Sequence, residues 1–253
     1  MKKILLGAIG LAVVSMTAPA SAADLAARPY TKAAPPMIAA IYDWTGFYIG
    51  LNGGGGWAHK CWDLTNNAGT IVAPFREGCH DASGGMAGGQ LGYRWQAASW
   101  VFGLEAQGDW ANFKGSNTSL FNAAISNQTK IDAFGLFTGQ VGYAWSNVLW
   151  YVKGGAAVAN DKYQGITNLT GLAFDRVNQT RWGGVVGTGV EFGFAPNWSV
   201  AVEYDHIFMG SGSVSFLSTP AQLFDRTDSI KQNVDMGTVR VNYRWGGPVI
   251  AKY

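Results

Sequence analysis

The sequence predicts an all-β chain, an eight-stranded antiparallel transmembrane β-barrel of the outer membrane that runs up and down as a meander. Three observations predict it: an export signal, a composition poor in charge, and a period-two apolar pattern broken alternately by tiny and long gaps.

The signal comes first. MKKILLGAIGLAVVSMTAPASA has Lys2 and Lys3, an apolar run from Ile4 to Val14, and the small-residue site Ala20-Ser21-Ala22. Residues 1–22 read as a secretory signal peptide cleaved before Ala23. Its apolar part is too short to span a bilayer as a helix, and no later segment reaches the roughly 20 apolar residues that a spanning helix needs. Residues 23–43 are Ala/Pro-rich with Pro35-Pro36, an extended periplasmic leader. The barrel domain is assigned to 44–253.

Composition sets the class. Removing the signal takes two lysines from 18 Lys+Arg, leaving 16 against 16 Asp+Glu. A neutral mature chain has no electrostatic reason to bind nucleic acid or anionic surfaces. Charged residues make up 13%, about half the usual ~25% of a soluble domain. With 35 Gly and 11 Trp, this is a chain whose surface does not mainly face water.

The strands follow in order. The first, Trp44–Trp57, turns Phe47, Ile49 and Leu51 to one face and Tyr48 and Asn52 to the other, and four glycines let backbones crowd. Gly53, Gly55 and Ala58 fit a loose dinucleotide pattern, but a polar segment follows where that pattern needs a helix. The second strand is Gly84–Gln96. In the third, Ser99–Asn112, Trp100, Phe102, Leu104, Ala106 and Trp110 oppose Glu105, Gln107 and Asp109. Thr129–Trp145 and Val148–Asn160 are the fourth and fifth, and Thr180–Ala195 the sixth. The seventh, Trp198–Met209, sets Val200, Val202, Tyr204 and Phe208 against Ser199, Glu203 and Asp205. In the eighth, Ile230–Trp245, Val239, Val241 and Tyr243 oppose Arg240, Asn242 and Arg244. The breaks after the second, fourth and sixth strands are tiny (Gln96-Ala97-Ala98, Ser146-Asn147, Pro196-Asn197), and the other four are long and polar. Tight turns on one side and long loops on the other are the pattern of a transmembrane barrel with its long loops outside the cell. Both termini are then periplasmic.

Tryptophan placement says which face meets lipid. Trp95, Trp100, Trp145, Trp150, Trp198 and Trp245 sit beside the tight turns or at the chain's end, while Trp57, Trp110 and Trp182 sit beside the long loops. From Trp100 to Trp110, steps of about 3.3 Å tilted by about 40° climb about 25 Å, the height of the apolar band of such barrels. The apolar face therefore points outward.

The export signal, the Ala/Pro leader, DWTGFYIGLNGGGGW, YVKGGAA and the ending VNYRWGGPVIAKY resemble the small outer-membrane β-barrel proteins of alphaproteobacteria, the porin-family or outer-membrane immunogenic-protein group. The resemblance runs over nearly the whole chain. It implies an abundant eight-stranded barrel recognised by host or environment, with some relatives haem binders or adhesins. It carries over no catalytic motif.

Three constellations remain. Cys61 and Cys79 both fall in the first long break, and a disulfide there would contribute about 3 kcal/mol by closing about 18 residues. A metal site with His59 and His80 is the alternative, but the spacing matches no zinc pattern. His206, on the apolar side of the seventh strand, reads as a rim histidine; Asp205 faces the other way and no G-x-S-x-G elbow occurs. Inward-facing charges make the third set: Glu105, Glu203 and Arg240 at one height, with Arg94, Lys153, Glu191 and Arg244 lower. Both layers mix signs, as an ion network filling a narrow lumen must.

The expected function is a monomeric structural and surface-recognition barrel, not an enzyme, with a plugged lumen and four extracellular loops. A narrow pore for ions or small solutes is the alternative, and a haem- or host-ligand-binding surface protein another. Expected partners are outer-membrane lipid and lipopolysaccharide, the barrel-assembly machinery and an extracellular ligand or host surface. No cofactor is expected.

Overall fold

A computed structural model describes residues 42–218 and 223–245. The signal segment 1–22, all of the leader up to residue 41, and residues 246–253 lie outside the described residues. Eight strands follow: β1 (Gly46–Asn67), β2 (Thr70–Ala97), β3 (Trp100–Thr118), β4 (Ile125–Trp145), β5 (Val148–Thr167), β6 (Ala173–Ala195), β7 (Trp198–Ser218) and β8 (Phe224–Trp245). Each pairs antiparallel with the next, and β1 pairs with β8 to close the barrel. Closure removes the sheet edges where the wall crosses the bilayer, so each backbone group there finds a partner.

The strands are far longer than their apolar pattern suggests. The expected first break, residues 58–83, is instead the upper part of the β1–β2 hairpin, paired up to Asn67↔Thr70 around the tip Ala68-Gly69. Likewise β4 and β5 stay paired up to Ile125↔Thr167. These extensions stand in water, where nothing forces one face to be apolar, so alternation fades while the ladder continues. At the other end the turns are tight: Ala98 (φ 55°) and Ser146 (φ 56°) take the left-handed conformation that two-residue hairpins require.

β1 explains its own glycines. A Cβ on Gly54 would overlap the Gly237 carbonyl, and one on Gly56 that of Asp235, both on β8. Side chains there would push the first and last strands apart.

The wall sorts its tryptophans. All nine of the girdle set (Trp57, Trp95, Trp100, Trp110, Trp145, Trp150, Trp182, Trp198, Trp245) lie on the outer surface, 43–79% exposed. Phe47, Ile49, Leu51, Leu104 and Phe137 are exposed beside them, and burying this apolar belt takes a membrane. Trp44 and Trp62 are the exceptions, both buried. Trp44 precedes β1 instead of opening it: it folds under the lumen against Val101, Leu149 and Tyr151, its amide bonded to Gln96 Oε1 at 2.9 Å.

Candidate functional site: the barrel lumen

Inside the barrel, side chains stack in layers from base to tip. The lowest is the aromatic floor of Trp44 and Tyr151 with Tyr42 against it. Arg94 lies over the rings of Trp44, Tyr48 and Tyr151 at 4.5–5.8 Å and pairs with Glu191 at 2.8 Å. Glu191 also accepts from Asn242 Nδ2 at 3.0 Å and from the Ser199 hydroxyl.

The main ionic layer lies just above. Arg240, fully buried, forks to Glu105 with one guanidinium nitrogen and to Glu203 with the other. Lys153 Nζ sits 2.6 Å from Glu203, 3.2 Å from Asp205 and 3.7 Å from Glu105. Tyr48 donates to Glu105 and Tyr151 to Glu203, each at 2.6 Å. Three carboxylates thus meet two cations and two phenols in a water-poor space, where a carboxylate left alone would be costly.

Register explains who meets whom. Glu203 stands opposite Thr238, and Arg240 opposite Ala201, so their pair is diagonal. Lys153 belongs to this layer, not the lower one where its count from the turn placed it, because barrel shear shifts heights from strand to strand. Arg244 also departs from expectation. Among the described residues it joins no ion pair and instead donates to the carbonyls of Thr45 (2.8 Å) and Pro196 (3.1 Å), stitching the rim.

Above comes an apolar layer that the alternation did not reveal: Met86, Phe113, Ile131, Phe134, Leu136, Val185, Ile207 and Met236. Higher still, Lys60 pairs with Asp161 at 2.8 Å with both side chains fully buried. Arg181 bonds the carbonyls of Met209 (3.3 Å) and Gly210 (3.1 Å), on a stretch of β7 that lacks ladder partners in β6. Trp62, Tyr163, Phe216 and Ile230 form an aromatic cap, and Arg226 lies over it with Glu77 (3.0 Å), Asp175 (3.1 Å) and Asp228 (3.6 Å) around it.

This top cluster carries an excess of acid well above the membrane. Burial, with Glu77 and Asp175 alongside, pushes the Asp228 carboxyl up to about 7 despite Arg226; burial likewise lifts Asp175 to about 6. An unfolded chain releases these protons near pH 4. Between about pH 4 and 7 the folded state therefore binds more protons, and stability falls as pH rises through that window. Hydrogen exchange of the upper strands should show slower opening at pH 5 than at pH 8. Asp228→Asn should flatten that difference; an unchanged pH dependence in the variant would contradict this assignment.

On the outer wall, Cys61 and Cys79 face each other in register on β1 and β2 and form a disulfide. It staples two paired strands and does not close a flexible loop. His59 Nε2 lies 3.6 Å from Cys61 Sγ and His59 Nδ1 2.7 Å from Asp81, whereas His80 points inward to Asn117 and Thr129. Thiol reagents should label neither cysteine until reduction, and replacing both by Ser should leave the barrel folded, since hairpin pairing continues on both sides. Labelling of unreduced protein from the envelope would contradict the first statement. His206 sits outside as expected, 2.6 Å from Asp235, which also accepts from Tyr204.

A closed eight-stranded meander with an aromatic-girdled apolar wall and a packed interior defines an outer-membrane β-barrel protein. The chain matches the family described as "Outer membrane protein beta-barrel domain" over residues 8–245, and belongs to it. It is similar to the 31 kDa outer-membrane immunogenic proteins of Brucella melitensis biotype 1 and Brucella suis biovar 1. Each is 29% identical over 263 residues, covering 97% of this chain and all of the relative. Among solved structures, the outer membrane protein OprG from Pseudomonas aeruginosa shares the fold, with TM-score 0.50, 12% identity, and coverage of 80% of this chain and 98% of that one.

Proposed function

We propose that this outer-membrane barrel is a structural and surface-recognition protein, monomeric and non-enzymatic, with both termini periplasmic and its long hairpins outside the cell. The observation that carries this reading is the lumen: from Trp44 at the floor to Arg226 at the tip, charged, apolar and aromatic layers occupy the axis in turn. An eight-stranded barrel has an interior that side chains just fill. The immunogenic character in the names of the Brucella relatives supports exposure at the cell surface. Recognition then falls to the outer faces and tips of the hairpins.

Planar-bilayer recording of the refolded protein tests it. The expected trace shows no stable open level at neutral pH. Steady conductance of an open channel would overturn the plugged reading in favour of a narrow solute pore.

A further inference from the structure

The outer wall of the hairpins is polar but not uniform. Lys114 on β3, Lys130 on β4 and Lys162 on β5 are consecutive register partners, so three ammonium groups share one rung of neighbouring strands. Lys60 and Lys153, by contrast, are enclosed in the lumen, and Lys231 lies on β8. Half of the lysines in the described residues therefore stand side by side on one face.

Around them the wall forms a shallow cavity of about 230 Å³ lined by the three lysines with Gln128 and Gln164. Asp132 reaches Lys130 at 2.6 Å and Lys162 at 2.5 Å, which ties down two of the three and leaves the row a net charge of +2. Arg176, exposed and the register partner of Gln164, adds a fourth cation one step higher. On the β2 side, Asp81 pairs with His59.

Height selects the ligand. Lys114 is four residues above Trp110, and Lys162 four above Val158, the register partner of the girdle residue Trp182. At about 2.5 Å of climb per tilted residue, both lie about 10 Å beyond the aromatic belt. Headgroups extend roughly 5–8 Å beyond the hydrocarbon on each side, and lysine stems bend toward them. Phosphates of the outer leaflet are thus within reach of all three ammonium groups, and basic clusters at that level attract anionic headgroups.

We propose that the Lys114–Lys130–Lys162 row is a binding site for the phosphate groups of lipopolysaccharide packed against β3–β5. The inference rests on the membrane placement of the barrel but not on the plugged lumen, so conductance and lipid binding fail separately.

The test compares binding of lipid A carrying both phosphates with dephosphorylated lipid A, measured by native mass spectrometry of the full protein in neutral detergent at about 0.15 M salt. Wild type should bind the phosphorylated form about tenfold or more tightly. The variant K114Q/K130Q/K162Q should lose that preference, while Lys231→Gln on the far side should keep it within about twofold. Equal binding of the two lipids by wild type overturns the proposal without any variant. So does a triple variant that still prefers phosphorylated lipid, or displacement of the lipid by 10 mM inorganic phosphate or by a soluble sulfated polysaccharide.

Discussion

Replacing Arg240 by Ala should destabilise the folded barrel by about 3–5 kcal/mol, the usual consequence of stranding buried charge. The guanidinium serves Glu105 and Glu203 at once, and the tyrosines that also bond these carboxylates cannot neutralise them. Lys153 would be left as the single cation facing Glu105, Glu203 and Asp205. Removing the long side chain also opens space on the axis, so brief conductance events should appear in bilayers. Exchanging the pair, with Glu203→Arg and Arg240→Glu, should recover little. The new arginine would meet Lys153 where a carboxylate now sits at 2.6 Å, and Glu105 would face a second acid. Urea titration in detergent gives the stability and single-channel recording the leak. Wild-type values for Arg240→Ala in both would remove the ionic layer from any account of how the barrel is held and sealed.

Leu104→Arg should cost about 2–4 kcal/mol in a bilayer, the penalty for arginine on the lipid face near the midplane. Leu104 lies four positions above Trp100 and six below Trp110 on β3 and is 62% exposed on the outer wall. In water the same substitution on an exposed strand position would be close to neutral. The comparison that matters is therefore unfolding from lipid vesicles, with Lys114→Arg, above the belt on the same strand, as a silent control. Equal stability of Leu104→Arg and wild type in vesicles would mean that this face does not contact acyl chains.

Much of the fold was legible because lipid imposes a rule on sequence. Where β3 crosses the membrane, Trp100, Phe102, Leu104 and Trp110 must alternate with inward residues, and the eye can follow them. Above Trp110 water imposes no such rule, so the upper parts of all eight strands read as loops. The lumen was legible only where it is charged. Glu105, Glu203 and Arg240 stood out against apolar neighbours, and the structure brings them together. Phe113, Ile131, Phe134 and Leu136 point inward but look like wall residues, because two apolar faces erase the period-two signal. Lys60–Asp161 and Arg226–Glu77 lay in stretches read as loops, with no pattern to orient them. Heights counted from the turns failed for Lys153 because shear is a property of the closed ring, not of any one strand.

The glycine-lined junction of β1 and β8 also bears on the order of assembly. Every other strand pair is a hairpin whose partners are neighbours in the chain, but Gly55 and Gly237 meet across 237 − 55 = 182 positions. Closing so long a loop costs more entropy than zipping any hairpin, so this ladder is the one to form last. A nascent barrel would then wait as an open, curved sheet whose first and last edges are both unpaired. The two edges can finally approach because Gly54 and Gly56 present nothing bulkier than hydrogen, and an alanine at either position would block the final click while leaving the seven hairpins able to form.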